Sequence, residues 1–408
     1  MKKIFIFYSH NTFNYGSAMM VINTIYYLSK LLGAGYSFSV DLLEAIDYER
    51  IKAEVGDVPI EPIGMSKQLG VMSNRLLRIK HVLFDESRFI LREAPFVVIV
   101  LGGDDINENY WKYKKLVELF HFNIITKKSS VFLPGQTIGP FFSWREKLAA
   151  QFLKNCHIYP RDPITTRYLK NKMRLRNVWE AHDLAFLDLP RQNDHINLLK
   201  DNKLQSDKYV TLVPTGPPDH YTDDKKRYIE TWKNIIVHML NLPEIEGSKI
   251  VLLAHVLSRL KRRCDDTIIR NIVDALGERY KQRIVILDKL ILPSEARTVL
   301  GNGLLTITGR MHAAISTFQM GKPALALAYS VKYAGVIGKG LGRDDLIVEA
   351  SGNSYWEEGT MLESVRKKIG YVLKTYDVLR EEITYAVEEA KKKAAFQIED
   401  MADKIRRV

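Results

Sequence analysis

Cysteine is nearly absent from this chain of 408 residues, which contains only Cys156 and Cys264. Two cysteines provide neither a disulfide framework nor a cysteine-based zinc site, so the cytoplasm is the expected compartment. No stretch reaches the roughly 18 uncharged apolar residues that a membrane-spanning helix needs. The apolar run Ile4–Tyr8 is too short for a signal-peptide core and is expected to form the first buried strand.

The net charge is positive: 60 basic residues against 48 acidic ones give +12. A basic surface attracts phosphorylated substrates, acidic lipids or nucleic acid, and the charge alone does not choose among them. A generally basic protein without a polyanionic partner is an equally good interpretation. No RNP, KH or zinc-finger signature is present, so nucleic acid is not the expected partner.

Short apolar runs alternate with longer helical patterns along the chain. This alternation predicts βα units and parallel sheets, because two parallel strands need a crossover connection. The strands predicted in this way cover residues 3–9, 38–43, 96–101, 130–134, 156–159, 178–181, 209–214, 249–254, 283–287, 304–308, 324–328 and 345–348. The near-continuous apolar run Phe96–Leu101 indicates burial on both faces of the sheet.

A polar stretch over residues 188–207 separates two halves that share this alternation. We therefore predict an α/β protein with two Rossmann-like doubly wound domains that face a cleft. The expected parts are an N-terminal domain (1–190), a linker (191–207), a C-terminal domain (208–372) and a C-terminal helix (373–408). Ligands of such sheets bind beyond the carboxyl ends of the strands, so the loops there are expected to hold the chemistry.

The first such loop, Ser9–Ser17, is a polar turn that contains Asn14 and Gly16 and leads into a helix. Exposed amides at a helix start can bind an anion. An ordinary turn capped near Ser17 explains the loop equally well.

A second loop, Gly102-Gly103-Asp104-Asp105, follows a strongly apolar strand. Glycines such as Gly103 allow a ligand or another part of the chain to approach the backbone closely. A tight turn capped by aspartate is the simpler explanation. Paired acids at a buried strand end are costly without a purpose, which favours a functional role for Asp105.

Two further loops follow strands in the first half. Leu133–Pro140 is a rigid loop with Gln136 at its centre, and exposed aromatic residues after it could stack on a sugar or touch lipid; they are Phe141, Phe142 and Trp144. Arg161, next to Asp162, could hold a carboxylate or a phosphate. If the aromatic residues are buried and the arginine pairs with its neighbour, both loops are structural instead.

The sharpest candidate site is the segment Thr306–Ala314 in the second half. Arg310 and His312 lie where a strand ends and a helix begins, and a helix start favours anions. Arginine offers a planar fork that matches a carboxylate or phosphate, and histidine exchanges protons near neutral pH. The next predicted strand ends in Tyr329 and Lys332, which adds another cation.

Together these elements resemble the polysaccharide pyruvyl transferase family. The matching elements keep the family order across residues 11–340: Asn14-Tyr15-Gly16, Gly102-Gly103, Gly135-Gln136-Thr137-Ile138-Gly139-Pro140, Arg161-Asp162, Asp183-Leu184-Ala185-Phe186, Arg310-Met311-His312-Ala313, and Gly321-Lys322-Pro323 followed by Tyr329 and Lys332. The Gly-Gln-x-Ile-Gly-Pro and Arg-x-His elements are the specific ones. Family members usually have three glycines where this chain has Gly102-Gly103-Asp104, which is a departure from the family pattern.

The resemblance implies the fold of B-type glycosyltransferases, with phosphoenolpyruvate as donor and a sugar as acceptor. The acceptor is often lipid-linked during capsule, exopolysaccharide or cell-wall synthesis, and the product is a pyruvate ketal on two sugar hydroxyls. The N-terminal domain would then be the acceptor side and the C-terminal domain the donor side. The scheme requires no metal ion and no cofactor.

The same resemblance maps Arg310 and His312 to donor-binding and catalytic positions. We expect His312 to act as the acid, Asp105 as a base, and Lys332 as a second anion clamp. Further substrate-binding residues are expected at the remaining motif positions, namely Arg161, Gln136, Asn14, Gly16, Gly103 and Tyr329.

Two other functions were considered. A B-type glycosyltransferase that uses a nucleotide sugar shares the fold and a cationic cleft, but the Gly-Gln-x-Ile-Gly-Pro element resembles the pyruvyl transferases specifically. A nucleic-acid-binding protein is suggested only by the net charge of +12.

A basic amphipathic segment, Lys67–Arg92, provides a hypothesis about membranes. It contains six basic residues against Asp85 and Glu86, with apolar residues between them. Such a helix can lie on an anionic bilayer and would bring the protein to the inner face of the membrane if the acceptor is lipid-linked. Packing of its apolar face on the N-terminal domain is the alternative.

Overall fold

The computed structural model describes residues 1–9, 11–64, 87–93, 95–108, 112–216, 218–257, 264–357 and 359–408. Most of the basic segment Lys67–Arg92 lies outside the described residues, and only its last part is described, on a helix from Ser87 to Glu93. No helix in these ranges is both long and apolar enough to cross a membrane.

The chain divides into two compact units. The first comprises Met1–Thr12, Ser17–Pro190 and Ala390–Val408, and the second comprises Phe13–Gly16 and Arg191–Glu389. Residues 191–207, for which the sequence suggested a linker, are counted with the second unit and include a helix.

In the first unit, six parallel strands form one sheet in the order β3-β2-β1-β4-β5-β6. The strands are β1 (Lys2–Phe7), β2 (Tyr36–Asp41), β3 (Ile60–Ile63), β4 (Val97–Val100), β5 (Ser130–Gln136) and β6 (His157–Pro160). Ile4 of β1 pairs with Phe38 of β2 on one side and with Val97 of β4 on the other. The strand predicted at residues 178–181 is absent, and a single bridge joins Val178 to Ile158 there.

Helices connect these strands and cover the sheet, as parallel pairing requires. They are α1 (Tyr15–Leu32), α2 (Ala45–Val55), α3 (Ser87–Glu93), α4 (Lys112–Ile125), α5 (Trp144–Leu153) and α6 (Pro163–Arg167). A hydrophobic cluster of this unit combines helix residues such as Phe122 and Leu153 with strand residues such as Val98 and Leu133. The first two residues of α1 belong to the second unit.

The second unit contains a sheet of six parallel strands in the order β12-β11-β10-β7-β8-β9. The strands are β7 (Tyr209–Val213), β8 (Lys249–Leu253), β9 (Ile284–Leu287), β10 (Thr306–Thr308), β11 (Ala324–Ala328) and β12 (Ile347–Glu349). Counted within each unit, both sheets have the order 3-2-1-4-5-6 of doubly wound folds. The prediction of two Rossmann-like domains is therefore confirmed.

The helices of the second unit are α7 (Ile196–Asp201), α8 (Lys225–Leu240), α9 (Asp265–Asp274), α10 (Glu278–Lys281), α11 (Pro293–Asn302), α12 (Met311–Gln319), α13 (Val331–Tyr333) and α14 (Thr360–Lys374). Helix α12 follows β10 after one glycine and one arginine, and nearly all of its side chains are buried. Its start is therefore fixed at the carboxyl edge of the sheet.

The long C-terminal helix α15 (Tyr376–Arg407) contributes its last part to the first unit. Gln397 is fully buried there, accepts a hydrogen bond from the Gly135 amide at 3.1 Å and donates one to the His182 carbonyl at 2.7 Å. Asp400 accepts a hydrogen bond from the Tyr159 hydroxyl at 2.8 Å. These bonds tie the helix to the last parts of β5 and β6 and to the backbone at His182.

Candidate active site

Arg310 lies between β10 and α12 and is held by the carboxylate of Asp265 at the start of α9. Its Nη2 atom donates to Oδ1 of Asp265 at 2.6 Å, and its Nε atom lies 3.3 Å from both carboxylate oxygens. The aspartate side chain is fully buried, whereas the arginine side chain keeps 15% of its surface exposed. The acid therefore lies inside the protein and the cation at its edge.

Asp265 also accepts three backbone hydrogen bonds from the ends of neighbouring strands. The amide of Gly216, beyond β7, donates to Oδ1 at 2.7 Å, and the amides of His255 and Val256, beyond β8, donate to Oδ2 at 3.1 and 2.8 Å. Because β10, β7 and β8 are adjacent in the sheet, one carboxylate gathers the ends of three strands. Such saturation with donors offsets the cost of burying the charge.

The guanidinium of Arg310 stays charged in this environment. Burial alone would lower its pKa, but the charge of Asp265 and the hydrogen bond to it outweigh burial and raise the pKa above the ordinary value. The hydroxyls of Tyr329 and Tyr221 act in the same direction, which places both tyrosines near the cation. Arg310 is thus a permanent positive charge at a helix start, where anions bind.

His312, on the first turn of α12, packs against the backbone of Gly16. A Cβ atom added to Gly16 would lie 2.2 Å from Nδ1 of His312, so only glycine fits at this position. The segment Phe13–Gly16 is anchored to the second unit by an antiparallel bridge between Asn14 and Val256 and by the Tyr15 amide, which donates to the His255 carbonyl at 3.2 Å. The segment therefore forms a wall beside the histidine ring.

His255, which the sequence analysis did not single out, is buried next to this cluster. Burial lowers the pKa of its imidazole well below 6.5, and the nearby charges of His312, Arg310 and Arg297 lower it further. Its ring packs edge-on against Tyr15, with the ring centroids 5.4 Å apart. His255 is accordingly neutral across the physiological range.

Aromatic residues complete the surroundings of Arg310. The hydroxyls of Tyr221 and Tyr333 donate to the carbonyl of Gly309 at 2.9 and 2.7 Å and so fix the backbone immediately before the arginine. Lys332 Nζ donates to the Tyr329 hydroxyl at 2.8 Å and lies 4.6 Å from the centre of that ring. The Tyr329 ring also stacks on His220, with centroids 4.7 Å apart.

The glycine pair of the first unit has a packing role. A Cβ atom on Gly102 would lie 1.9 Å from the carbonyl oxygen of Gly135, so this glycine lets the loop after β4 touch the last part of β5. The Gly103 carbonyl accepts a hydrogen bond from the Thr137 amide at 2.9 Å. Asp105 is exposed, so its carboxylate is reachable from solvent.

Gln136 and Arg161, both expected to contact substrate, have buried side chains with partners inside the first unit. Gln136 Nε2 donates to the Val100 carbonyl at 2.9 Å. Arg161 Nε donates to the Thr137 hydroxyl at 2.8 Å, and its Nη1 atom pairs with Asp183 at 3.0 Å. The side chains of this ion pair are 1% and 0% exposed, so the geometry gives both residues a role in holding loops together.

The aromatic residues after the Gln136 loop differ in exposure. Phe141 is fully buried in the core cluster of the first unit, whereas Phe142 and Trp144 are 48% and 58% exposed. The expectation of a surface aromatic group therefore applies to Phe142 and Trp144 but not to Phe141.

The structure brings part of the predicted site together within the second unit: Arg310, His312, Tyr329, Lys332, Asn14 and Gly16. Gly103, Asp105, Gln136 and Arg161 belong to the first unit. Sequence reasoning missed Asp265 and His255. His255 directly follows a strand, a signal already used for other loops, whereas Asp265 looks like an ordinary acidic residue in the first turn of a helix, 45 positions from Arg310.

A model of the polysaccharide pyruvyl transferase family matches residues 14–331, which is most of the chain. The protein belongs to the polysaccharide pyruvyl transferase family. One relative is the amylovoran biosynthesis protein AmsJ of Erwinia amylovora, which is 24% identical over 272 residues. That alignment covers 64% of this chain and 62% of the relative, so the match spans less than two thirds of the relative's length.

Solved structures share the fold at low sequence identity. A putative UDP-N-acetylglucosamine 2-epimerase from Listeria monocytogenes has a TM-score of 0.65 at 11% identity, with 98% of this chain and 94% of that chain covered. A glycosyltransferase from Rickettsia africae has a TM-score of 0.58 at 11% identity, with 99% of this chain and 98% of that chain covered. These likenesses confirm the B-type glycosyltransferase fold.

We predict that Arg161→Ala destabilises the protein. The substitution leaves Asp183 buried without its cation, which commonly costs about 3–5 kcal/mol. Thermal unfolding followed by circular dichroism should show a clear drop in the midpoint. The control is Arg191→Ala, which breaks a pair whose side chains are 40% and 53% exposed and should cost less than about 1 kcal/mol. An unchanged midpoint for Arg161→Ala would mean that the buried pair does not stabilise the fold.

We predict that Gly16→Ala lowers turnover by about 100-fold while the protein remains folded, because the added methyl group displaces the His312 ring. The measurement is the steady-state rate of the transfer reaction proposed below. Gly35→Ala is the matched control, since a Cβ atom there has no other atom within 4 Å. Full activity of Gly16→Ala would show that the ring position does not matter.

Proposed function

We propose that the protein moves the pyruvyl group of phosphoenolpyruvate onto a sugar of a polysaccharide, or of its lipid-linked precursor, and forms a pyruvate ketal. The observation that carries this proposal is the Arg310 cation at the start of α12, next to His312, in a chain of the polysaccharide pyruvyl transferase family. The family match favours this reaction over the transfer of a sugar from a nucleotide sugar.

The donor carries a carboxylate and a phosphate, so its site needs cations and amide donors. Arg310 has five N–H donors, and Asp265 engages those on the Nε and Nη2 side. No hydrogen bond joins its Nη1 atom to another residue of the described ranges, so this end of the fork is available for a donor oxygen. Lys332 provides a second charge that can hold the other anionic group.

The reaction then follows from the residue types. His312 gives a proton to the CH₂ carbon of the donor, which leaves an oxocarbenium-like centre at the carbon that bears the phosphate oxygen. A sugar hydroxyl attacks this carbon while a base takes its proton, and the C–O bond to phosphate breaks. Loss of phosphate regenerates the oxocarbenium-like centre, the second hydroxyl attacks it to close the ring, and the released phosphate takes up the proton of that hydroxyl.

On the acceptor side, we propose Asp105 as the base, because its carboxylate is exposed after a buried strand. Phe142 and Trp144 supply exposed aromatic surface that suits the apolar face of a sugar or the headgroup region of a bilayer. Gln136 and Arg161 are left out of the substrate-binding set, because their polar atoms bond within the first unit.

We expect the purified protein to release inorganic phosphate from phosphoenolpyruvate only when a suitable glycan acceptor is present. A coupled phosphate assay measures the rate, and mass spectrometry of the glycan should show the added pyruvate ketal. The acceptor is offered both as a free oligosaccharide and as its lipid-linked form, which tests the lipid-linked arm of the proposal. Transfer from a nucleotide sugar to these acceptors, with phosphoenolpyruvate untouched, would overturn the proposal.

We expect Arg310→Ala to weaken donor binding by about ten- to a hundredfold, since a lost charge-assisted hydrogen bond costs about 1.5–3 kcal/mol. His312→Ala should instead lower kcat by about 10²–10⁴-fold, as loss of a general acid does. Donor binding is measured by isothermal titration calorimetry and kcat by the phosphate assay. Arg279→Ala, at an exposed arginine on α10, is the control and should behave like the wild type. Near-normal turnover in both site variants would refute these assignments.

A further inference from the structure

Each unit contains an ion pair between a buried aspartate and an arginine, and these pairs differ in how much of the arginine they leave exposed. In the first unit, Arg161 and Asp183 are both closed to solvent, with 1% and 0% of their side chains exposed. In the second unit, Asp265 is equally closed, but 15% of the Arg310 side chain remains exposed. The first pair is a fully buried ion pair, whereas the second leaves one end of its arginine at the surface.

In the second pair, the hydrogen bonds to Asp265 leave the N–H donors at the exposed end of the Arg310 guanidinium unused. Asp265 occupies the side of the guanidinium formed by Nε and Nη2. Because the guanidinium group is planar and has five N–H donors in fixed directions, the two hydrogens of Nη1 and one of Nη2 point away from the aspartate. They form a second fork, which matches the two oxygens of a carboxylate or phosphate.

The aspartate is itself immobilised, which is what a positioning group requires. Its two oxygens accept hydrogen bonds from the amides of Gly216, His255 and Val256, at the ends of two neighbouring strands. Through Asp265, the direction of the second fork is therefore set by the sheet rather than by the flexible arginine side chain.

Resting on the proposed function, we infer that Asp265 is a positioning residue for pyruvyl transfer: it holds Arg310 so that the outer fork engages an anionic group of phosphoenolpyruvate in the reactive orientation. The negative charge of Asp265 cancels the positive charge of Arg310. The pair therefore orients a bound anionic donor more than it attracts the donor from a distance. Removing the aspartate charge should therefore lower turnover without weakening attraction for the anionic donor.

The first test compares Asp265→Asn with Asp266→Asn, the same change at the next position of α9, which lies on the same helix turn and has no bond to Arg310. For Asp265→Asn we expect kcat to fall at least about tenfold while KM for phosphoenolpyruvate stays equal or decreases. Asp266→Asn should match the wild type. A rise in KM with unchanged kcat for Asp265→Asn contradicts the inference.

A double-mutant cycle separates positioning from a general structural role, because it asks whether Asp265 acts through Arg310. Arg310→Lys keeps the positive charge but cannot form the two-atom fork. We expect Asp265→Asn to change kcat/KM less than about threefold in the Arg310→Lys background. An undiminished effect there overturns the inference. A wild-type protein that never consumes phosphoenolpyruvate overturns the proposed function, and the inference with it.

If Asp265→Asn does not unfold cooperatively on heating, the variant is not properly folded. The inference is then tested with a variant that leaves position 265 intact. Added guanidinium ion should raise the turnover of Arg310→Ala at least about tenfold, whereas methylammonium should not, because only a planar fork matches the Asp265 carboxylate. Equal effects of the two cations, or no effect of either, overturn the inference.

Discussion

The candidate site of the second unit depends on one buried carboxylate. Without Asp265, the backbone amides beyond the carboxyl ends of β7 and β8 would lose a common hydrogen-bond acceptor. Arg310 would lose its fixed partner. A buried charge is tolerated only when donors saturate it, and here those donors are the strand ends that define the ligand edge of the sheet. The same set of hydrogen bonds therefore compensates the buried charge of Asp265 and fixes the position of Arg310.

The two glycines that matter most near these sites act through absence of a side chain rather than through unusual backbone angles. Gly102 allows the last part of β5 to approach, and Gly16 allows the first turn of α1 to lie against the His312 ring. The contact of Gly102 closes the interior of the first unit, and the contact of Gly16 forms a wall beside the His312 ring. Family motifs thus mix packing constraints with chemical ones.

Much of the architecture could be predicted from the chain alone, because strands buried on both faces leave continuous apolar runs such as Phe96–Leu101. The short edge strand Ile60–Ile63 escaped notice because two of its four residues are exposed and one is proline. Arg310 and His312 could be found because they follow a strand directly. Asp265 could not, because its partnership with Arg310 arises only when strands distant in sequence become neighbours. The burial of Arg161 could not be predicted either, since its motif does not indicate burial.

The path of the C-terminal helix has a consequence for how the protein is made. Gln397 and Asp400 bond to the last parts of β5 and β6, yet the ribosome adds them only after the whole of Arg191–Glu389. The first unit must therefore wait in an unfinished state, with the amide of Gly135 and the carbonyl of His182 lacking these partners, while the second unit is synthesised. Completion of the earlier domain is in this way coupled to synthesis of the later one, and chaperones that bind nascent chains would meet the first unit during that interval.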